Sequence, residues 1–108
     1  DLAIQAFRAA VKRNPNDAGA LSALGLLYDE KGENSEISML FCEKSVELAP
    51  QNGLYLYRLG RVLHKQGKIH KALEVFEKAQ SLGYDAAKRI AAVETELEKG
   101  KGKEYAHL

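Results

Sequence analysis

Apolar residues recur every three or four positions along most of this chain, in six segments separated by short polar interruptions. This spacing puts apolar side chains on one face of a helix, and no segment alternates as a half-buried strand does. Each interruption contains Gly, Pro, Asn or Asp, which end one helix and cap the next. The pattern predicts an all-α protein with helices at residues 2–13, 18–31, 36–48, 53–66, 69–82 and 86–99, and a flexible tail at 100–108.

The interruptions also predict how individual helices begin and end. We expect Asp17 or Asn16 to cap the second helix, because the first N–H groups of a helix need an acceptor. Gly32 is expected to end that helix in the left-handed conformation, and Ser35 to cap the third helix.

An internal repeat accompanies this pattern. The residues Leu21, Leu24, Gly25 and Tyr28 are repeated 35 positions later as Leu56, Leu59, Gly60 and Leu63. The second copy continues with Ala72, Phe76 and Ala79, and the start of the chain carries the same spacing in Ala3, Phe7 and Ala10. A repeat of this length with helical spacing indicates stacked helix pairs, each burying its apolar faces against its neighbours.

The continuation of the first copy has two possible registers. Counting back from Pro50 places Ser38, Cys42 and Ser45 at the positions of Ala72, Phe76 and Ala79. Counting forward from Gly25 places Ile37 and Phe41 at the first two of those positions. An extra residue in the turn at 32–35 would explain the difference.

These residues resemble the tetratricopeptide repeat family, whose pattern is a large apolar residue, Leu-Gly, an aromatic, then Ala, an aromatic, Ala and Pro at these spacings. The resemblance covers roughly residues 1–97 and implies antiparallel helix–turn–helix repeats stacked in a right-handed superhelix. It divides the chain into a half repeat at 1–15, full repeats at 16–50 and 51–84, and a final helix at 85–99. Departures such as Cys42 at an aromatic position and Tyr84 at a proline position keep apolar or turn character.

Two glycines lie in the middle of predicted helices, where glycine costs about 1 kcal/mol relative to alanine. We expect Gly25 and Gly60 to permit close approach of a neighbouring helix, with Gly60 against Ala72 and Phe76 filling the space beside them. An ordinary helical bundle is the competing architecture, but a bundle does not require glycines at matching positions.

Charge and cysteine content narrow the function classes. The net charge is +1 with 29% charged residues of mixed sign, which favours neither nucleic acid nor a membrane surface as partner. Lys65, Lys68 and Lys71 form a small basic cluster that we interpret as a solvated turn. No apolar stretch is long enough to insert in a membrane. A lone Cys42 excludes a disulfide framework and favours a reducing compartment such as the cytoplasm, while the compartment is otherwise unknown.

Catalytic and metal-binding patterns are weak. His64 and His70 are separated by six positions, so they do not share a helical face as ligands at i and i+4 would. Cys42 at an apolar helical position is interpreted as a buried, inert thiol. The sequence therefore predicts no enzyme activity, no cofactor and no metal.

The chain begins inside a repeat and without an initiator Met, which indicates a piece of a longer protein. The helix at 2–13 would then lack its partner helix. Leu2, Ile4 or Phe7 would expose apolar surface, and we predict self-association through this helix.

In the family that the chain resembles, the first helix of each pair lines a concave groove that takes a peptide or helix of a partner protein. The positions between the packing residues are the predicted groove residues: Ser22, Leu26, Asp29, Leu54, Tyr57, Arg58, Arg61, His64 and Lys88. Tyr57, Arg61 and His64 share one helical face, and arginine matches carboxylates in shape and charge. An acidic peptide is the predicted ligand; solvated side chains on a curved surface are the alternative.

The resemblance implies a protein-interaction module, as part of a scaffold or adaptor. Alternatives are a substrate-recruiting or oligomerising region of a larger enzyme. One branch of the family clamps the terminal carboxylate of heat-shock chaperones with Lys and Asn, but Ser22 and Leu26 stand at those positions, so a clamp of that kind is not expected.

Overall fold

The structure, a computed structural model, describes the backbone of residues 1–106 and the side chains of residues 1–100. Across residues 1–106 it contains six helices and no strand, which confirms the predicted all-α class. The helices are α1 (Leu2–Arg13), α2 (Ala18–Glu30), α3 (Ser35–Leu48), α4 (Gly53–Lys65), α5 (Ile69–Ser81) and α6 (Ala87–Ala106). The first five agree with the prediction to within one residue at each end.

The helix starts follow from short polar side chains. Asp17 accepts a hydrogen bond from the Ala20 N–H at 3.0 Å, as predicted for the cap of α2. The prediction for α3 was wrong by one residue, because Asn34, and not Ser35, accepts from the Ile37 N–H at 3.2 Å. An amide oxygen just before the helix reaches this N–H, whereas Ser35 is already the first helical residue.

The last helix runs further than predicted. α6 continues through Gly100 to Ala106, where the sequence predicted a flexible tail from residue 100. Each glycine inside a helix costs about 1 kcal/mol, but the residues around the two glycines in this segment are Lys and Glu, which favour helix. No proline interrupts the segment, so nothing in it forbids the helical backbone.

The helices pair in chain order. α2 packs against α3, and α4 against α5, while contacts of α4 with α2 and α3 join the two pairs. α1 covers the α2 end of the stack and α5 packs against α6. The molecule extends 55 × 29 × 19 Å, as expected for pairs stacked in a row.

The two mid-helix glycines lie at close helix–helix contacts. A Cβ atom added to Gly25 would lie 2.5 Å from Cys42 Sγ and 2.8 Å from the Ser38 carbonyl oxygen. A Cβ atom added to Gly60 would lie 2.5 Å from Cε1 of Phe76. The predicted close approach is confirmed, with one correction: the nearest atoms to Gly60 all belong to the Phe76 ring and not to Ala72.

These contacts also decide the register of the first copy. Ser38, Cys42 and Ser45 are fully buried, like Ala72, Phe76 and Ala79 in the second copy. The register counted back from Pro50 is therefore correct, and the turn between α2 and α3 is one residue longer than the turn between α4 and α5.

The three apolar residues named for the N-terminal helix differ in exposure. Ile4 is buried, on a helix that packs against α2. Leu2 is 84% exposed and Phe7 is half-buried. Of the three, Leu2 therefore leaves the largest fraction of its surface exposed.

Candidate functional site

The first helices of successive pairs line a common groove. α2, α4 and α6 border a cavity of about 380 Å³, here called the first-helix groove. Its lining residues are Leu26, Asp29, Glu30, Arg61, His64, Lys65 and Arg89. Four predicted residues, Leu26, Asp29, Arg61 and His64, thus lie together in this groove.

Two arginines of α4 are linked to α2. Arg58 Nη1 donates a hydrogen bond to Ser22 Oγ at 3.3 Å, and Ser22 is fully buried. Arg61 Nη2 lies 3.3 Å from Glu30 Oε1 in an exposed ion pair. Ser22 therefore positions the Arg58 side chain, and because Ser22 is buried it cannot contact a partner itself.

Asp29 and Lys65 form a second link between α2 and α4. The Lys65 ammonium donates to the main-chain oxygen of Asp29 and lies 3.9 Å from its Oδ2. Asp29 is 7% exposed, and this burial raises the pKa of its carboxyl group, an effect that the nearby Lys65 charge opposes. The carboxylate is thus a buried partner of Lys65 and is poorly placed to meet a ligand.

Two side-chain contacts, two helical turns apart, join α4 and α6. Arg89 Nε donates to Tyr57 Oη at 3.0 Å, and His64 Nε2 lies 2.7 Å from Glu96 Oε1. Tyr57 and His64 are separated by seven residues, as are Arg89 and Glu96, so the two helices run side by side in register. These two contacts fix the distance between α4 and α6, which form two of the three sides of the first-helix groove.

Tyr57 packs against the core and is not among the lining residues of the groove. Its ring centroid lies 5.6 Å from that of Phe76 and 5.0 Å from that of Tyr84, and the Arg89 guanidinium lies 5.8 Å from the ring. The ring is therefore held between packing residues and a cation, and its hydroxyl group accepts from Arg89, which lines the groove.

Five of the nine predicted residues are not among the lining residues of the groove: Ser22, Leu54, Tyr57, Arg58 and Lys88. Lys88 is exposed and does not line the groove, because Arg89, the next residue, points across to Tyr57. Leu54 is half-buried and is not among the lining residues. The sequence reasoning missed Arg89, Glu30, Lys65 and Glu96, although acidic and basic residues about one repeat apart were a signal for them.

The groove carries mixed charge. Arg61, Lys65 and His64 each have an acidic partner on a neighbouring first helix, so the groove is not the bare basic surface that the sequence suggested. The partners Glu30 and Glu96 have about half of their side-chain surface exposed, at 47% and 49%. Because an exposed ion pair such as Arg61–Glu30 contributes only about 0–1 kcal/mol, Glu30 exchanges readily for another partner of Arg61.

Residues 1–100 contain no cluster of His, Cys, Asp and Glu suited to a metal ion. Over the same part of the chain, no helix has the length and apolar character needed to cross a membrane. Cys42 is fully buried, and burial raises the pKa of its thiol to about 12.

Stacked antiparallel helix pairs with a groove across their first helices define a helical-repeat protein. Two models described as tetratricopeptide repeat match the sequence, one over residues 1–36 and the other over residues 41–74. The chain belongs to the tetratricopeptide repeat family, whose repeats form protein-interaction modules.

Solved tetratricopeptide domains share the fold. The first such domain of Spaghetti (RPAP3), solved with the HSP90 peptide SRMEEVD, has a TM-score of 0.79 at 14% identity, over 88% of this chain and 77% of that one. The Sgt2 domain from Aspergillus fumigatus has a TM-score of 0.81 at 21% identity, over 91% of this chain and 68% of that one. No curated protein matches the chain significantly in sequence.

Proposed function

We propose that this chain binds an acidic, extended peptide of a partner protein in the first-helix groove. The observation that carries the proposal is the convergence of Arg61, Lys65 and Arg89 from two helices on one cavity of about 380 Å³. These three cations outnumber the two acidic lining residues, Asp29 and Glu30, and this excess positive charge favours a ligand with carboxylates.

The ion pairs within the groove suit such a ligand. An incoming carboxylate replaces Glu30 at Arg61 or Glu96 at His64, and the displaced side chains return to solvent on an already exposed surface. Arg58 and Asp29 stay in place, because Ser22 and Lys65 hold them in partly buried links. The acidic peptide bound by the RPAP3 domain supports the same chemical class of ligand.

The test compares two labelled peptides by fluorescence anisotropy. The first is SRMEEVD, the peptide bound by the RPAP3 domain, and the second is SRMQQVN, which has the same length and no acidic side chain. We expect the acidic peptide to bind at least about tenfold more tightly, which corresponds to about 1.4 kcal/mol, and its affinity to fall as salt is added.

Variants locate the binding surface. Arg61→Gln together with Arg89→Gln removes two cations while keeping hydrogen-bonding side chains, and should weaken SRMEEVD binding by about tenfold or more. Arg13→Ala is the matched control, because Arg13 is an exposed cation on α1, away from the groove. Equal binding of both peptides, or a double variant that binds like the control, would remove the groove from the proposal.

A further inference from the structure

A second groove lies between the second helices. α1 and α3 form its walls and α2 its floor, and the cavity has a volume of about 450 Å³. The apolar lining residues are Val11, Leu24, Tyr28, Ile37 and Phe41. We call this cavity the second-helix groove; it shares no residue with the first-helix groove.

The next repeat contains a matching cavity, which serves as an internal reference. It lies between α3 and α5 over α4 and has about half the volume, 230 Å³. Counted by the repeat, Glu43 stands at the position of Arg8, Lys71 at the position of Ile37, and Val75 at the position of Phe41.

The two cavities differ in polarity along one wall, which is α3 in the second-helix groove and α5 in the reference cavity. Where the reference cavity has Lys71, the second-helix groove has Ile37, which is 39% exposed. Phe41 replaces the smaller Val75, and its ring stacks on Tyr28 with the centroids 6.0 Å apart. The second-helix groove is therefore larger and more apolar than the matching cavity of the next repeat.

The charges differ as well. In the reference cavity the acidic Glu43 of α3 lies opposite Lys68, Lys71 and Glu74. In the second-helix groove the matching wall, α1, carries two exposed cations, Arg8 and Lys12, and the acidic Glu33 lies in the turn between α2 and α3. None of the ion pairs among residues 1–100 includes either of these cations.

Each of the three sides of the groove presents two lining residues that are one helical turn apart. Arg8 and Lys12 on α1, Leu24 and Tyr28 on α2, and Ile37 and Phe41 on α3 are each an i, i+4 pair. An occupant with side chains one turn apart matches these rows, and a helix presents side chains in this way.

We propose that the second-helix groove docks an amphipathic helix of a partner protein. The helix places large apolar side chains, one turn apart, on Tyr28, Ile37 and Phe41. Acidic residues beside those anchors face Arg8 and Lys12, since these cations have no acidic partner within the described side chains. This interaction is separate from peptide binding in the first-helix groove.

The test uses two labelled peptides of about fourteen residues with leucines at i, i+3, i+4 and i+7. One peptide carries Glu at the flanking positions and the other carries Lys. We expect the Glu peptide to bind at least about tenfold more tightly by anisotropy. In amide NMR spectra it should shift the signals of Val11, Ile37 and Phe41.

The variants replace residues of the second-helix groove with those at the matching positions of the reference cavity. Ile37→Lys introduces the residue found at the matching position, and should weaken Glu-peptide binding by about tenfold or more. Leu82→Lys is the matched control, because Leu82 is 37% exposed but lies outside this groove. Arg8→Glu, which also introduces the matching residue, should shift the preference toward the Lys peptide.

The outcomes separate this proposal from the proposed function. Arg61→Gln with Arg89→Gln should leave Glu-peptide binding unchanged, and Ile37→Lys should leave SRMEEVD binding unchanged. The proposal is overturned if neither helical peptide binds, if both bind equally, or if Ile37→Lys behaves like Leu82→Lys. Shifts confined to the first-helix groove would overturn it as well.

Discussion

At the scale of single residues, the most informative difference between the two repeats is Cys42. It occupies in α3 the place that Phe76 occupies in α5, and both side chains are fully buried over a mid-helix glycine. The aromatic residue of the first repeat is the neighbouring Phe41, which lies outside this contact and stacks on Tyr28. A one-residue shift thus moves a large ring from the helix contact to a groove wall.

Burial of Cys42 predicts slow thiol chemistry. Because burial raises the pKa of the thiol to about 12, the thiol stays protonated near pH 8, and the sulfur has no access to solvent. We expect reaction with an aromatic disulfide reagent to proceed through unfolding, at a rate that rises steeply with added urea. The measurement is absorbance of the released thiolate. Rapid, complete reaction in native buffer would contradict the assigned burial.

At the scale of helices, glycine sets how closely two elements approach. The ring of Phe76 occupies the space that a side chain at Gly60 would need, so α4 and α5 meet with no room to spare. Gly25 plays the same part between α2 and α3, with Cys42 in place of the ring. The helix-propensity cost of each glycine is offset by the packing that the close contact permits.

A larger residue at this contact should destabilise the protein. Gly60→Leu forces Phe76 out of its position, and we expect the free energy of unfolding to fall by about 1–3 kcal/mol or more. Urea unfolding followed by circular dichroism measures it. Gly100→Ala is the control, because no described side chain and no other helix lies within 4 Å of the added methyl group, and alanine favours helix. If Gly60→Leu is as stable as the unchanged chain, the close contact is not there.

At the scale of the whole molecule, the stack is 55 Å long and presents two kinds of groove. The first-helix groove is polar and crossed by ion pairs, whereas the second-helix groove is apolar with cations along one wall. The two proposed binding surfaces therefore differ in chemistry, as expected for a protein that brings different partners together.

Self-association through α1 remains a prediction at this scale. Leu2 is 84% exposed and Phe7 is half-buried, so the end of the stack offers some apolar surface. We expect light scattering to show a mass above that of the monomer at high concentration, and Leu2→Lys to abolish the increase. Leu82→Lys serves as the control at another exposed leucine. A strictly monomeric mass in concentrated solution would contradict the prediction.

Much of this organisation was predictable from local patterns. The helical spacing of apolar residues predicted six helices, and the matching Gly25 and Gly60 predicted two close contacts. The same spacing placed Arg61 and His64 on one face, where both line the first-helix groove. Residues one or two turns apart carry this information, because the geometry of a helix alone relates their positions.

Contacts between helices could not be predicted in this way. Three observed features depend on contacts between different helices. They are the acidic partners of Arg61 and His64, the contact of Arg89 rather than Lys88 with α4, and the position of the Phe76 ring over Gly60. Whether long side chains meet depends on the separation and relative rotation of the helices, which packing of the whole stack sets. Periodicity along the chain therefore specifies the elements and their inner faces, and only the assembled stack decides which charges are paired and which grooves stay open.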